Sequence, residues 1–493
     1  MGIIDTNMKN IMKILDLFCG AGGLSIGFER SGFQVINGFD NFEAALKTFN
    51  NSHSGYGRKY DLSNTPTMEE LEKIGLKIDE VDGIVGGPPC QGFSDAKGKR
   101  TELDDRNDLV FRFIDWVVLL KPKFFVMENV VGIETLNDGK FINVVEREFT
   151  KEGYTIQRQI LHSAQYGVPQ KRERMIMIGF LKDLGIHGKY HPEPTHWVPE
   201  DMRGVSVSKG ESGKPTPSLN DFFVTGRKPE RKLKKYVTVE TAFSGLPEII
   251  RDESGHVQFN NNFDSEFMKW ITYDNSIKST ENHIANKVMK KYLKIVNKIP
   301  EGKIFRSNRF GDRYIGAWDI FTDELSQNQL DILQFLGRNQ TKKTINLEGK
   351  SEGHVPLALI LEELHLESDK DLKFLANDAW ISKKEVNGIV GYKLRTKAGL
   401  RPRFFRLDRK SISHTILTVD FDAREKIHPC QNRGLSLREG ARLQSFPDNV
   451  IFQGSFKEIA RQIGNAVPPR MAFHIAERIK KLLLKTTPDL QFH

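Results

Sequence analysis

Cys90 sits in the loop Gly86-Gly87-Pro88-Pro89-Cys90-Gln91-Gly92-Phe93-Ser94, directly after the strand-like run Val81–Val85. A thiol does covalent chemistry as the thiolate, which needs a polar, partly exposed setting, whereas a structural cysteine sits in an apolar element and stays inert. Pro88 and Pro89 fix φ and remove two backbone donors, and the flanking glycines let the main chain approach a ligand closely. This is a nucleophile's setting, although Gly/Pro turns also carry cysteines by chance. A second group runs Leu15-Asp16-Leu17-Phe18-Cys19-Gly20-Ala21-Gly22-Gly23-Leu24-Ser25-Ile26-Gly27, leaving one strand, turning on glycines and entering a helix. Such a turn holds a nucleotide-like cofactor at the carboxyl end of a sheet, and Asp40, ending the next strand, can accept ribose hydroxyls. Ser25 stands where a dinucleotide site needs its third glycine, which argues against NAD or FAD and fits a smaller cofactor without a pyrophosphate, such as S-adenosylmethionine. Glu128-Asn129 and the pair Arg172/Arg174 add an acid and two permanent cations; taken singly, they are equally a capping turn and surface charge.

These groups need a scaffold that gathers strand ends on one edge. Met12–Phe18, Gln34–Phe39, Val81–Val85 and Lys123–Met127 are strand-length apolar runs, separated by segments long enough for crossover helices. One helix is clear: Asn107 or Asp108 caps it, Leu109, Phe113, Val117 and Leu120 share a face, and Pro122 follows its end. The expected fold is α/β, a Rossmann-like, mostly parallel sheet with helices on both faces, plus a smaller variable domain.

Lys and Arg number 73 against 64 Asp and Glu, a net charge of +9, and the dispersed basic residues favour a groove for a polyanion over a tail. Nucleic acid leads the candidates, though basic proteins without such a partner are common. Cys19, Cys90 and Cys430 form no CxxC pair, so neither a disulfide framework nor a metal site is expected. No signal core or membrane-length apolar run is present, and the expectation is a cytoplasmic protein with no membrane partner.

Residues 12–180 read as the cofactor-binding catalytic domain, residues 181–406 as a middle region that is irregular and rich in Gly, Pro, Ser and charge from Leu181 to about Lys235, and residues 407–485 as a return to the first domain that includes an amphipathic helix from Met471 to about Leu484. Within the middle, residues 323–407 show helical runs at Leu330–Phe335, Val355–Leu364 and Asp371–Trp380 and then an alternating stretch Gly388–Leu407, a winged-helix-like pattern. The alternating stretch carries Lys393, Arg395, Lys397, Arg401, Arg403 and Arg406 interleaved with Tyr392, Phe404 and Phe405, which suits phosphates and bases but also the wet face of an edge strand.

In order along the chain, Asp16–Gly27, Gly87–Ser94, Glu128-Asn129-Val130, Gln170-Lys171-Arg172-Glu173-Arg174, Arg438–Pro447 and Gln462–Pro469 resemble the motifs of the DNA (cytosine-5) methyltransferases of bacterial restriction-modification type. The resemblance covers both ends of the chain; the stretch from about Leu181 to Arg406 falls where that family has its target-recognition region. It implies a transferase that moves a methyl group from S-adenosylmethionine to C5 of a cytosine flipped out of duplex DNA. Cys90 would add to C6, Glu128 would act at N3, and Arg172 or Arg174 would reach O2. It also implies that Phe18 stacks on adenine, that Gly20, Gly22 and Gly23 admit the methionine moiety, that Asp40 binds ribose and Asp61 adenine, and that Pro88, Asn465 and Val467 complete the cofactor site. Asp40 is shorter than the glutamate frequent there, and no residue is identified as the base that removes the C5 proton. The expected setting is a monomer associated with the nucleoid and paired with a cognate restriction endonuclease. An RNA cytosine-5 methyltransferase and a non-catalytic DNA-binding regulator on the same scaffold are the alternatives; the large middle region favours duplex DNA over the first, and intact Cys90, Glu128 and Arg172 speak against the second.

Overall fold

The computed structural model describes residues 11–77, 80–89, 108–199, 233–246, 265–271, 285–287, 301, 304–305, 314–315, 326–339, 342, 344–349, 353–377, 381–394, 405–421 and 425–486. It divides into two compact units, one of residues 1–284, 410–419 and 436–493, the other of residues 285–409 and 420–435. Residues 233–246 and 265–271, inside the span read as target-recognizing, pack in the first unit.

The first unit is built on a seven-stranded sheet of β1 (Lys13–Leu17), β2 (Gln34–Asp40), β3 (Tyr56–Lys59), β4 (Gly83–Gly86), β5 (Phe124–Asn129), β6 (Tyr154–His162) and β8 (Glu173–Leu181), in the order β3-β2-β1-β4-β5-β8-β6. The pairs from β3 through β5 are parallel, and β8 runs antiparallel between β5 and β6. The chain leaves β1 toward β2 on one side and returns to β4 on the other, so the order reverses between β1 and β4. Their carboxyl ends flank the crevice in which open α/β sheets take ligands. The glycine turn follows β1 and the Gly/Pro loop follows β4.

Both faces are covered, and neighbouring residues show it. Phe124 and Val126 belong to the apolar core on one face and Phe125 and Met127 to that on the other, as period-two alternation demands. On the first face lie α1 (Gly23–Arg30) and a long C-terminal helix, Pro469–Thr486, whose Met471, Ile475 and Ile479 are fully buried. The two helices meet at Gly27, where a Cβ would come within 2.4 Å of the Phe473 nitrogen. On the other face the helix Asp108–Leu120 buries Val110, Phe113, Trp116, Val117 and Leu120; of the face read from the sequence, Phe113, Val117 and Leu120 are buried and Leu109 is half-buried.

The second unit contains helices Gln327–Asn339, Leu357–Glu363 and Lys370–Asn377, with a short strand Val355–Pro356 after the first and a hairpin Ile381–Val386/Ile389–Leu394 after the third. The hairpin's second strand falls inside the alternating stretch read from the sequence, and its first strand lies upstream of that stretch. It turns at Asn387-Gly388, both at positive φ, the two-residue chemistry that matches strand twist. Tyr392 is fully buried in this unit's core, and Arg406 is buried with its Nη1 donating to the carbonyls of His428, Pro429 and Gln431, so neither faces solvent as the alternation suggested. Arg395, Lys397, Arg401, Arg403 and Phe404 lie outside the described residues.

Candidate active site

The turn after β1 adopts left-handed backbone at Phe18 (φ 59°), Gly20 (φ 53°) and Gly22 (φ 82°). Phe18 is a phenylalanine held where glycine is favoured, a local cost, and its half-buried ring packs against the apolar core on the face covered by Asp108–Leu120. Asp40 secures the turn from the neighbouring strand: its Oδ2 accepts from the Gly20 nitrogen at 2.9 Å and its Oδ1 from the Phe42 nitrogen at 2.8 Å. Behind the turn the ring of His53, fully buried, stacks on Phe49 at 4.2 Å and contacts Glu29 through Nδ1 at 2.7 Å. A Cβ on Gly22 would lie 1.9 Å from His53 Nε2, and one on Gly23 would lie 2.3 Å from the Val467 carbonyl oxygen. Gly20 has nothing within 4 Å of its would-be Cβ, so on that side the turn borders open space.

Ser25 has a specific partner. Its hydroxyl donates to Asp16 Oδ2 at 2.6 Å beneath the turn, while Asp16 Oδ1 is buried with no partner. Burial pushes the Asp16 carboxyl up to about 7, against the lowering effect of the Ser25 hydrogen bond. Neither role was visible from residue type; the spacing of nine along a strand–turn–helix was the available signal. Asp61, in the loop after β3, is exposed; hydrogen bonding from the Ser63 side chain, and from the Ser63 nitrogen to its Oδ1 at 3.0 Å, holds its carboxyl below the usual range.

Beside β4, Pro88 is buried and its carbonyl accepts from Asn129 Nδ2 at 3.1 Å. Glu128 stands next to this contact, and a Cβ on Gly87 would be 3.0 Å from Glu128 Oε2. The loop entering Cys90 is therefore laid along the end of β5, against the carboxylate. Cys90 itself lies outside the described residues.

The two arginines separate. Arg174, on β8 opposite β5, places Nε 2.8 Å from Glu128 Oε1, an ion pair whose members are both nearly buried. Burial holds the Arg174 guanidinium below its ordinary value, and Glu128 acts in the opposite direction. Arg172 lies between the short strand β7 (Gln170–Lys171) and β8, where the strand pattern breaks, and it turns inward instead. At 1% exposure its guanidinium donates to the carbonyls of Gly464 at 3.1 Å and of Ile416 and Asn465 at 3.4 Å. Gln170 does similar work, donating to the Leu443 carbonyl at 3.0 Å and accepting from the Ile416 nitrogen. Sequence reasoning missed Gln170 as a structural staple.

The C-terminal segments are thus pinned to the sheet edge. Among them, the helices Leu437–Leu443 and Phe456–Asn465 each begin with a capping box, Ser436/Glu439 and Ser455/Glu458, and the Arg442 guanidinium pairs with Asp448 at 2.9 and 2.6 Å in the interior. Val467 is buried against the glycine turn and Asn465 is exposed beside it. Phe18, Gly20, Gly22, Gly23, Asp40 and Val467 therefore share one turn, Pro88, Glu128 and Arg174 share the adjacent strand ends, and Arg172 binds the C-terminal wall. Among the described residues, no group of three or more His, Cys, Asp or Glu is placed to hold a metal ion, and no helix is long and apolar enough to cross a membrane.

The sequence model of the C-5 cytosine-specific DNA methylases matches residues 12–481. The chain belongs to this family. As a C-5 cytosine-specific DNA methylase it is similar along its whole length to the Type II methyltransferase M.AgeI of Thalassovita gelatinovora, 29% identical over 95% of this chain and 99% of that protein. The Type II methyltransferase M.DdeI of Desulfomicrobium norvegicum is 28% identical, with 95% of this chain and 88% of the relative covered. Among solved structures, a DNA modification methyltransferase encoded within an E. coli prophage has the same fold, with a TM-score of 0.55 at 23% identity, covering 96% of this chain and 99% of the other. The family assignment makes the chain a DNA cytosine-5 methyltransferase.

Proposed function

We propose that this methylase moves a methyl group from S-adenosylmethionine to C5 of one cytosine, flipped out of a short duplex site, through a transient bond between Cys90 and C6. The observation that carries the reading is the approach of the Gly87-Pro88 loop to Glu128, whose carboxylate is paired with Arg174 at 2.8 Å. The residues after β1 fit the cofactor: the turn borders open space at Gly20, and the buried, unpartnered Asp16 Oδ1 is an acceptor suited to a cationic group. Phe18, Gly20, Gly22, Gly23, Asp40, Asp61, Pro88, Asn465 and Val467 would hold it. When bound, S-adenosylmethionine supplies an electrophilic methyl group.

The chemistry needs an activated ring, because C5 of cytosine is a weak nucleophile. Addition of the Cys90 thiolate to C6 turns the ring into an enamine that is nucleophilic at C5. Glu128 would hold a proton at N3, where electron density accumulates, and Arg174, held against Glu128, would stabilise charge at O2. Loss of the C5 proton to a base then expels Cys90 as thiolate and restores aromaticity. A base inside a duplex cannot present C6 to a thiol, so the nucleotide must leave the stack, at a cost of a few kcal/mol offset by backbone contacts.

Recognition falls to the middle of the chain, residues 181–406 and in particular the module at 323–407, with residues 407–485 returning to the catalytic unit. Similarity to Type II methyltransferases over 95% of the chain supports a protective role beside a cognate restriction endonuclease; the chain is read as acting as a monomer. The test is trapping on duplex DNA containing 5-fluorocytosine, which blocks proton loss. Mass spectrometry should find DNA attached at Cys90, and Cys90→Ala should abolish turnover while leaving DNA binding measurable. An active wild-type chain that forms no such linkage would overturn the mechanism.

A further inference from the structure

The second unit has the element order helix, strand, helix, helix, strand, strand, with Val355–Pro356 and Ile381–Val386 pairing antiparallel on either side of Ile389–Leu394. One core holds these pieces together: Ile332, Leu333 and Leu336 from the first helix, Ile360 from the second, Leu372 and Leu375 from the third, and Ile381 and Tyr392 from the hairpin, all at most 1% exposed. This is the arrangement of a winged helix, in which the third helix is the element shaped for the major groove and the hairpin is the wing.

What the third helix, Lys370–Asn377, leaves in solvent can be read residue by residue. Leu372 and Leu375 point into the core, and Lys370, Lys373, Phe374 and Asn377 are exposed, Phe374 at 43%. The helix's one carboxylate is engaged elsewhere, since Asp371 Oδ1 accepts from Gln329 Nε2 at 2.7 Å on the first helix. Lys373 is steadied by Asp369 at 2.9 Å while its side chain remains 63% exposed. Lysine suits guanine O6 and N7, asparagine suits adenine N6 and N7, and an apolar ring suits the thymine methyl group. On the wing, Lys383 and Lys384 are exposed, Lys384 lying 3.5 Å from Glu348 with its side chain still 53% exposed, and both suit phosphate contact. Of the exposed carboxylates among the described residues of the module, Glu362, Glu363 and Glu367 lie on the second helix and the turn after it, and Glu385 lies on the wing beside Lys384.

We propose that Lys373, Phe374 and Asn377 form a base-reading surface of this methylase for duplex DNA, with Lys383 and Lys384 contacting its backbone. The inference rests on the methyltransferase reading above and adds the residues that select the site. It also moves the reading surface away from Tyr392 and Arg406, which are interior.

Bisulfite sequencing of DNA from cells making the full-length chain defines the methylated sequence. Lys373→Ala, Phe374→Ala and Asn377→Ala are then compared with wild type in methylation rate at that site, in the sequences modified and in S-adenosylmethionine affinity. The expected result is a loss on the order of 10- to 100-fold at the cognate site, or a relaxed sequence, at unchanged cofactor affinity. Lys383→Ala/Lys384→Ala should weaken binding to all sequences alike and lower the salt dependence. Because these side chains are exposed, thermal melts should match wild type, and Lys373→Arg should retain more activity than the alanine variant. Wild-type rate and sequence in all three helix variants would overturn the proposal and turn this face over to a protein partner. An absence of any methylation by wild type would instead refute the underlying reading.

Discussion

Arg174 Nε lies 2.8 Å from Glu128 Oε1 across the β5–β8 pair, while Arg172, two positions earlier, donates instead to the carbonyls of Ile416, Gly464 and Asn465. The cation and the acid of the proposed transition-state pocket are thereby fixed by backbone pairing, and the neighbouring arginine fixes the wall that closes the unit.

The two substitutions should accordingly fail in different ways. Arg174→Ala is expected to lower the single-turnover methylation rate by on the order of 100-fold with a small change in melting temperature, the scale of a lost transition-state donor. Arg172→Ala leaves several buried carbonyls without donors and should cost about 3 kcal/mol or more of stability. Paired rate and melting measurements check this; a stable Arg172→Ala enzyme with a purely kinetic defect would contradict the division.

Gly22 and His53 should be coupled. Gly22→Ala places a methyl 1.9 Å from His53 Nε2 at a φ of 82°, and should weaken cofactor binding at least tenfold by calorimetry. His53→Ala vacates that space, so the double variant should bind the cofactor better than Gly22→Ala alone. Strict additivity in this cycle would show that the ring does not set the turn.

Asp16 should leave a mark on the pH dependence of stability. Its carboxyl is raised from 3.8 to about 7 by burial, so between those values the folded chain holds a proton that the unfolded chain has released. Stability from this group is complete below about pH 4 and is lost as pH rises through 7. Relative to Asp16→Asn, the wild-type chain should therefore lose stability between pH 4 and pH 7 in denaturant titrations; parallel curves for the two proteins would refute the assignment.

Much of the first unit was legible because buried parallel strands are continuous apolar runs, and β1, β2 and β5 lie within a residue or two of the runs that announced them. The alternatives left open at Arg172 and Arg174 could not be separated by sequence, since the break in strand geometry that turns one inward is a backbone event with no residue signature. Ser25 read as a missing glycine because its partner, Asp16, lies across the turn. In the second unit the three helices followed from periodicity, but the basic alternation near Tyr392 misled. The phase of a strand decides which face is wet, and here the Asn387-Gly388 turn set that phase upstream. Cys90, the most informative residue in the sequence, is outside the described residues.

The interlock of Gly27 with Phe473 and Ala472, reinforced by a Ser31–Glu477 hydrogen bond spanning 446 positions, bears on synthesis. A chain still emerging from a ribosome can form the strands around the glycine turn early, yet the layer that backs α1 is made 446 positions later. Methylating capacity should switch on only once Pro469–Thr486 has emerged rather than grow with length, and nascent fragments lacking that helix should expose the apolar face of α1 to chaperones.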